Sequence, residues 1–304
     1  MTTADSSSEA VLHAPGHDAA SDAARTPGTL AYLKGDGTGN DFIVVLDVAD
    51  EHVISAAAVQ AWCDRDRGVG ADGLLRIVQR DDDTFFMDYR NADGSLAEIC
   101  GNGLRVVGHV LRANKLLAPG EHTLGTRGGD VRVTIPADGN ITVVMGRAQE
   151  LSEALTVHVA GVEAYAARAV LMPNPHAVAC VADISAVGDL NVSPTHEPTA
   201  VLPDGANYEF VEVVNAHHIR MRVFERGVGE TKSCGSGACA AALVAARNAN
   251  LTQPWQIRVD VPGGTLHVAA DAEGVLSLTG PAQVTSSGVL ENEAGSSRNT
   301  DDIA

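Results

Sequence analysis

Two stretches decide how this chain folds: Cys100-Gly101-Asn102-Gly103-Leu104-Arg105-Val106-Val107-Gly108-His109-Val110-Leu111 and Cys234-Gly235-Ser236-Gly237-Ala238-Cys239-Ala240-Ala241-Ala242-Leu243-Val244. In each, the tetrapeptide Cys-Gly-x-Gly leads directly into a run of helix length. Both runs are free of proline and rich in Leu, Val and Ala, which predicts helices over residues 103–117 and 235–250. The second run is apolar on nearly every side, and a helix apolar all round is a buried one. Its small residues let strands pack closely against it.

Short strand-like runs surround both helices. The first set covers residues 42–46, 74–78, 85–89, 131–135 and 141–144; the second covers 157–159, 177–181, 210–214, 219–223, 257–261 and 266–269. Gly, Pro, Asn and Asp punctuate them, as turns require. Each half therefore has strands, one buried helix, then more strands. The duplication shows as a shared device, Cys-Gly-x-Gly at a helix start, rather than as a period. It predicts two similar α/β domains facing one another across a cleft.

Bulk properties narrow the function. The chain has 304 residues, 45% of them hydrophobic and only 4% aromatic, so aliphatic side chains and alanine fill the core of two ordinary domains. A formal net charge of −18 repels nucleic acid and anionic membrane surfaces, so neither is an expected partner. No stretch approaches the ~20 apolar residues that span a bilayer, and the N-terminus lacks the features of a signal peptide. Five cysteines suit neither a disulfide framework nor a zinc motif. Free thiols in a reducing cytoplasm are expected. Residues 1–27 and the last stretch, 288–304, lack periodicity and read as tails.

A cysteine at a helix start is chemically pointed. The reactive form is the thiolate, and a free thiol, with a pKa of about 8.5, is only slightly ionised at neutral pH. Unpaired N–H groups and the positive end of the helix dipole favour the thiolate and also bind carboxylates. Flanking glycines let a ligand approach the backbone. Two such sites, one per half, suit a reaction that needs similar groups on opposite faces of one atom. Inverting a stereocentre is such a reaction: one thiolate removes the α-proton, and the opposed thiol supplies a proton to the other face. Both helix starts can stabilise the charge that develops meanwhile. The competing reading makes both cysteines packed core residues beside glycine turns. Cys63, Cys180 and Cys239 lie in apolar runs and are expected to be small core residues.

The strings around these cysteines resemble diaminopimelate epimerases. They are Gly39-Asn40-Asp41-Phe42; Asn91-Ala92-Asp93-Gly94-Ser95 running into Cys100-Gly101-Asn102-Gly103; Asn174-Pro175-His176; Asn207; and Glu225-Arg226-Gly227-Val228-Gly229-Glu230-Thr231 leading to Cys234-Gly235-Ser236-Gly237. Their order and spacing match over roughly residues 29–286. The resemblance implies conversion of LL-2,6-diaminopimelate to the meso form, in lysine and peptidoglycan biosynthesis, without metal, pyridoxal phosphate or nucleotide. It implies an α+β fold of two pseudo-symmetric domains, each a sheet curled around a central helix. The expected N-terminal domain is 28–147 plus 279–287, because the last strand, near 278–284, returns to it; the C-terminal domain is 148–278. A cytoplasmic homodimer is implied as well.

Carried over by position, Cys100 and Cys234 resemble the base and acid pair, with His176 and Glu225 beside them to tune the thiols. Gly101, Asn102, Gly235 and Ser236 resemble the cradle for the reacting carboxylate. Asn40, Asn91, Asn174, Asn207 and Arg226, with Glu225, resemble the groups that hold the substrate. Two departures stand out. Gly73 occupies a place where many relatives carry a glutamine ligand, and Ser236 stands where many have threonine.

The enzyme alternative is a proline racemase or hydroxyproline epimerase, which shares the two-cysteine logic but holds a small cyclic amino acid. The non-enzyme alternative is an amino-acid-binding protein on the same fold, for which neither sulfur is needed. The loops Gly35-Asp36-Gly37-Thr38-Gly39 and Asp64-Arg65-Asp66-Arg67-Gly68 fall short of phosphate and calcium motifs and read as turns.

Overall fold

The computed structural model describes residues 28–291, so the tail readings of 1–27 and 292–304 lie outside the described residues. The first half runs β1 (Thr29–Asp36), β2 (Asp41–Leu46), α1 (Ala56–Cys63), β3 (Gly73–Gln79), β4 (Phe85–Asn91), α2 (Gly101–Ala113), β5 (Gly120–Thr126), β6 (Gly129–Ile135) and β7 (Ile141–Gly146). The second runs β8 (Gln149–His158), β9 (Tyr165–Leu171), β10 (Pro175–Val181), β11 (Thr195–Glu197), β12 (Asn207–Asn215), β13 (His218–Glu225), β14 (Gly229–Thr231), α3 (Gly235–Asn248), β15 (Trp255–Val261), β16 (Gly264–Ala270), β17 (Leu276–Gly280) and β18 (Gln283–Glu291).

Backbone pairing links these strands in the order β18-β1-β2-β3-β4-β5-β6-β7 and, through β7 with β17, onward as β17-β16-β15-β13-β12-β10-β9-β8. β11 lies on β8, and β14 folds back on β13. Read inward from β18 or from β8, each half repeats one succession of pairings: antiparallel, antiparallel, parallel, antiparallel, parallel, antiparallel, antiparallel. A parallel pair needs a crossover, and the second crossover of each half carries its long helix: α2 between β4 and β5, α3 between β13 and β15. The fold is therefore α+β and internally duplicated.

The duplication extends to register. Phe42 faces Gly73 and Leu74 faces Arg90; at an offset of 134 residues, His176 faces Asn207 and Tyr208 faces Phe224. The same offset carries Cys100 to Cys234.

Each half wraps its helix. Leu104, Val107, Val110 and Leu111 of α2 pack with Leu75, Ile77, Ile135 and Val143. The alanine face of α3 packs with Val211, Met221, Ile257 and Leu278. Full burial of a Leu or Val side chain contributes about 1.5–3 kcal/mol. The alanines of α3 contribute less each but allow the strands to close in. Second layers cover the outer face of the sheet, with Val59 and Trp62 of α1 on Ile43, Val45 and Leu74 in the first half.

Some expectations need correcting. Helix α2 begins at Gly101, two residues before the expected start at 103, whereas α3 begins at Gly235 as expected. Both helices stop earlier than the apolar runs suggest, because Lys115 (φ 58°) and Asn250 (φ 52°) turn the chain into the left-handed region. β18 continues to Glu291, pairing with Thr29, so residues 288–291 belong to a strand and not to a tail. Cys63 and Cys239 are buried as expected, but Cys180 is exposed near the end of β10.

Candidate active site

Each sulfur caps the helix that follows it. Cys100 has extended backbone angles (φ −144°, ψ 110°), and its Sγ accepts the Gly103 N–H at 3.3 Å. Cys234 (φ −120°, ψ 118°) does the same with Gly237 at 3.4 Å. Serine, threonine, aspartate and asparagine are the usual caps, because a helix start leaves four N–H groups unpaired. Here the cap atom is a sulfur, so the bond that orders the helix also favours the thiolate. The first bonds of the regular helix go from Leu104 to Cys100 and from Ala238 to Cys234. The N–H groups of Gly101, Asn102, Gly235 and Ser236 have no helical carbonyl to reach.

The two helix starts face each other across the junction of the halves. A Cβ added to Gly235 would lie 3.8 Å from the Gly101 Cα and 3.5 Å from Asn102 Oδ1, with Leu278 at 3.0 Å. A side chain at 101 would press on Met145 Sδ at 3.0 Å, so at both positions glycine spares the apolar side chains packed around the helix starts. Asn102, buried, joins the halves: its Nδ2 donates to Ser233 O at 3.2 Å and to Asn40 Oδ1 at 3.4 Å. Asn40 in turn donates to Asp72 at 2.6 Å, leaving its Oδ1 3.8 Å from the Cys100 sulfur. Beside this contact a cleft of about 550 Å³ opens between Asn40, Asp41 and Asp72 on one wall and Thr231, Lys232 and Ser233 on the other.

The second half supplies the ionisable groups. Glu225, last residue of β13, accepts the hydroxyl of Thr231 and lies near enough to the Cys234 thiol to act on it. Burial pushes its carboxyl pKa up and Glu209 adds to that, while Thr231 and Cys234 pull it back in part. His176 is fully buried, with Nδ1 2.7 Å from Glu209 Oε1 and Nε2 2.9 Å from Asn174 Oδ1. Burial raises the Cys100 thiol to about 11, opposed by the Gly103 N–H, with Glu225 raising it and Arg105 lowering it further down the order of causes. The Cys234 thiol is also pushed well up: burial comes first, then the charges of Glu225 and Glu209.

The other expected residues fall as follows. Asn207 starts β12 and its Oδ1 accepts the backbone N–H of Arg226 at 2.8 Å. Asn91 ends β4 and donates to Ser95 at 3.0 Å. Ser236 Oγ lies 3.5 Å from the Cys234 sulfur. Arg226, expected among the groups that hold the substrate, does not line a buried site. It is exposed, in the β13–β14 turn, with Nη1 donating to Asp204 O at 2.9 Å. Gly73 has a steric reason to be glycine, since a Cβ there would sit 2.4 Å from the Arg90 carbonyl oxygen.

Two residues escaped the sequence reading. Glu209 is fully buried on β12, on the α3 side with Val211. Arg105 is fully buried one turn after Cys100. The available signal in both cases was a charged residue inside an otherwise apolar run.

A family model described as diaminopimelate epimerase matches residues 32–151 and 168–285, which together span most of the chain. The chain belongs to the diaminopimelate epimerase family. A diaminopimelate epimerase of Streptomyces coelicolor is 44% identical over 278 residues, covering 86% of this chain and 96% of that protein. Solved structures share the fold at low identity. A predicted epimerase from Pseudomonas aeruginosa aligns with TM-score 0.66 at 16% identity, over 88% of this chain and 100% of that one. A hydroxyproline epimerase from Agrobacterium vitis aligns with TM-score 0.62 at 13% identity, over 92% and 98%. The matched region runs from β1 into β18.

Proposed function

We propose that this chain is a cofactor-independent epimerase that interconverts LL-2,6-diaminopimelate and the meso form, in lysine and peptidoglycan biosynthesis. The observation that carries the reading is the pair of cysteines capping two helices whose starts meet at the junction of the halves. An α-amino acid whose carboxylate lies against the helix starts has its α-carbon near both sulfurs. One sulfur, as thiolate, takes the α-proton. Charge flows into the carboxylate, where the N–H groups of Gly101, Asn102, Gly235 and Ser236 stabilise it. The other sulfur, as thiol, returns a proton to the opposite face. Glu225, beside Cys234, exchanges a proton with it between turnovers, and His176 holds Asn174 toward the substrate. No metal, pyridoxal phosphate or nucleotide takes part, and the reading includes a homodimer in the cytoplasm. The test offers LL-diaminopimelate and L-proline to purified enzyme without added cofactor. Inversion of the first alone supports the reading. Inversion of proline alone assigns the chain to the cyclic-substrate alternative, and inversion of neither overturns both.

Specificity for a substrate with a second zwitterionic end needs a group to hold it. Asn40, Asn91, Asn174 and Asn207 offer both donors and acceptors, and Arg226 offers a fork that fits a carboxylate. Among the described residues its exposed guanidinium donates to one backbone carbonyl, a contact it can give up to reach a ligand. Arg226→Lys keeps the charge and loses the fork. It is expected to lower kcat/KM for diaminopimelate roughly 30-fold, the lower end of the cost of an ill-paired buried charge. An analogue lacking the distal carboxylate, already a poor substrate, is expected to lose much less. Equal losses on both substrates would remove Arg226 from the distal end.

A further inference from the structure

The 134-residue repeat permits a comparison of the two sulfur environments position by position. Gly103 and Gly237 are equivalent, each donating to its own cysteine. A Cβ on Gly103 would meet Leu75 at 3.1 Å, and one on Gly237 would meet Glu209 at 2.5 Å. Leu75 and Glu209 are thus the same position in the two halves, and the second half carries a buried carboxylate where the first carries a hydrocarbon. Continuing along the helices, Arg105 of α2 corresponds to Cys239 of α3. The guanidinium donates to Thr38 Oγ1 at 2.7 Å and to the carbonyls of Gly37, Gly101 and Pro281 at 3.2, 3.4 and 3.4 Å. All four acceptors are neutral. Its hydrogen bonds therefore supply no counter-charge against its desolvation, and of the ionisable groups that act on it Cys100 comes first, ahead of Cys239 and Asp36.

Other charged groups do not distinguish the sulfurs in this way. Glu225 on β13 acts against ionisation of both. Tyr89 on β4, near Cys100, has its phenol pushed up by burial and stays neutral. Asp36 at the end of β1 acts on Arg105. His176 on β10 is bound to Glu209, and Ser236 on α3 touches Cys234. Asn40 Oδ1 accepts from the Cys100 thiol. Glu225 stands where the first half has Asn91 but acts on both sulfurs; beyond it, the halves differ in the cation behind Cys100 and the carboxylate behind Cys234.

We propose that Arg105 and Glu209 are positioning residues that break the symmetry of the pair, placing its single negative charge on Cys100 and its proton on Cys234. Arg105 gains a counter-ion when Cys100 loses its proton. Glu209 opposes charge on Cys234 through the first turn of α3. The free protein therefore meets its ligand with Cys100 as the base, ready for the isomer whose α-hydrogen faces that sulfur. This last consequence rests on the proposed epimerase activity; the order of ionisation does not.

The test is the pH profile of alkylation in the absence of substrate. Iodoacetamide labels each thiol at a rate set by its thiolate fraction, and peptide mass spectrometry reads Cys100 and Cys234 separately. The midpoint of each profile, unlike its plateau, is independent of how accessible the sulfur is. Wild-type Cys100 is expected to have the lower midpoint. Glu209→Gln is expected to lower the Cys234 midpoint by about one pH unit, tenfold in thiolate below the midpoint, and to leave Cys100 in place. Arg105→Gln is expected to raise the Cys100 midpoint by a similar amount and leave Cys234 in place. Equal or reversed wild-type midpoints, or an unmoved Cys234 in Glu209→Gln, would overturn the proposal. If Arg105→Gln does not fold, the wild-type order and Glu209→Gln still decide. Failure of the epimerase reading would appear instead in the inversion assay, which shares no readout with alkylation.

Discussion

Cys100→Ala and Cys234→Ala should each abolish inversion, lowering kcat by about four orders of magnitude, the upper range for loss of a general acid or base. Both sulfurs also cap helices, so alanine removes a cap that costs about 0.5–2 kcal/mol when the acceptor is strong. Sulfur is a weak acceptor, which places the stability loss at the low end. Cys→Ser at each position separates the roles. A serine hydroxyl caps at least as well, so thermal unfolding should be unchanged or improved. Its proton is held too tightly for it to serve as the base, so activity should remain absent. A folded single variant with near-normal turnover would leave its cysteine a cap and nothing more.

Glu225→Gln should be the next most damaging single change, at about 100-fold in kcat. The amide has the shape of the carboxyl and can still accept from Thr231, so the fold and the β13–β14 turn should persist. Lost are a proton acceptor for Cys234 and a negative charge that opposes ionisation of both sulfurs. The thiols should ionise at lower pH in this variant while turnover falls, because the proton on Cys234 is no longer exchanged through a carboxyl. Circular dichroism would confirm the fold, and kcat would carry the result. Turnover within a few-fold of wild type would reduce Glu225 to a structural cap on Thr231.

The features most legible in the sequence were those with dense local signals. Gly-rich tetrapeptides followed by apolar runs placed α2 and α3 to within a few residues. The runs did not mark where the helices stop, since Lys115 and Asn250 end them by taking positive φ. The helix α1 gave little signal, being eight residues with several alanines, and it owes its start to the Ser55 cap on Ala58.

The repeat of 134 residues was hidden because equivalent positions differ in chemistry: Phe42 and His176, Leu75 and Glu209, Asn91 and Glu225, Arg105 and Cys239. Only strand register brings them into correspondence. Glu209 was illegible for a related reason. In Asn207-Tyr208-Glu209-Phe210-Val211 an isolated glutamate reads as the wet side of a half-buried strand. β12 is covered on both faces, by α3 on one and by the layer of Tyr208 and Phe210 on the other, so that side is dry.

The central claim is that two different sulfurs work on opposite faces of one carbon, and hydrogen exchange in deuterated water addresses it most directly. At low conversion of LL-diaminopimelate, the product and the recovered substrate are separated and their α-positions examined by mass spectrometry. Proton removal by one sulfur and delivery by the other predicts deuterium at the inverted carbon of the product and protium in the recovered substrate. Product that retains the substrate's own hydrogen would mean that a single group removes and returns it, and would contradict the account.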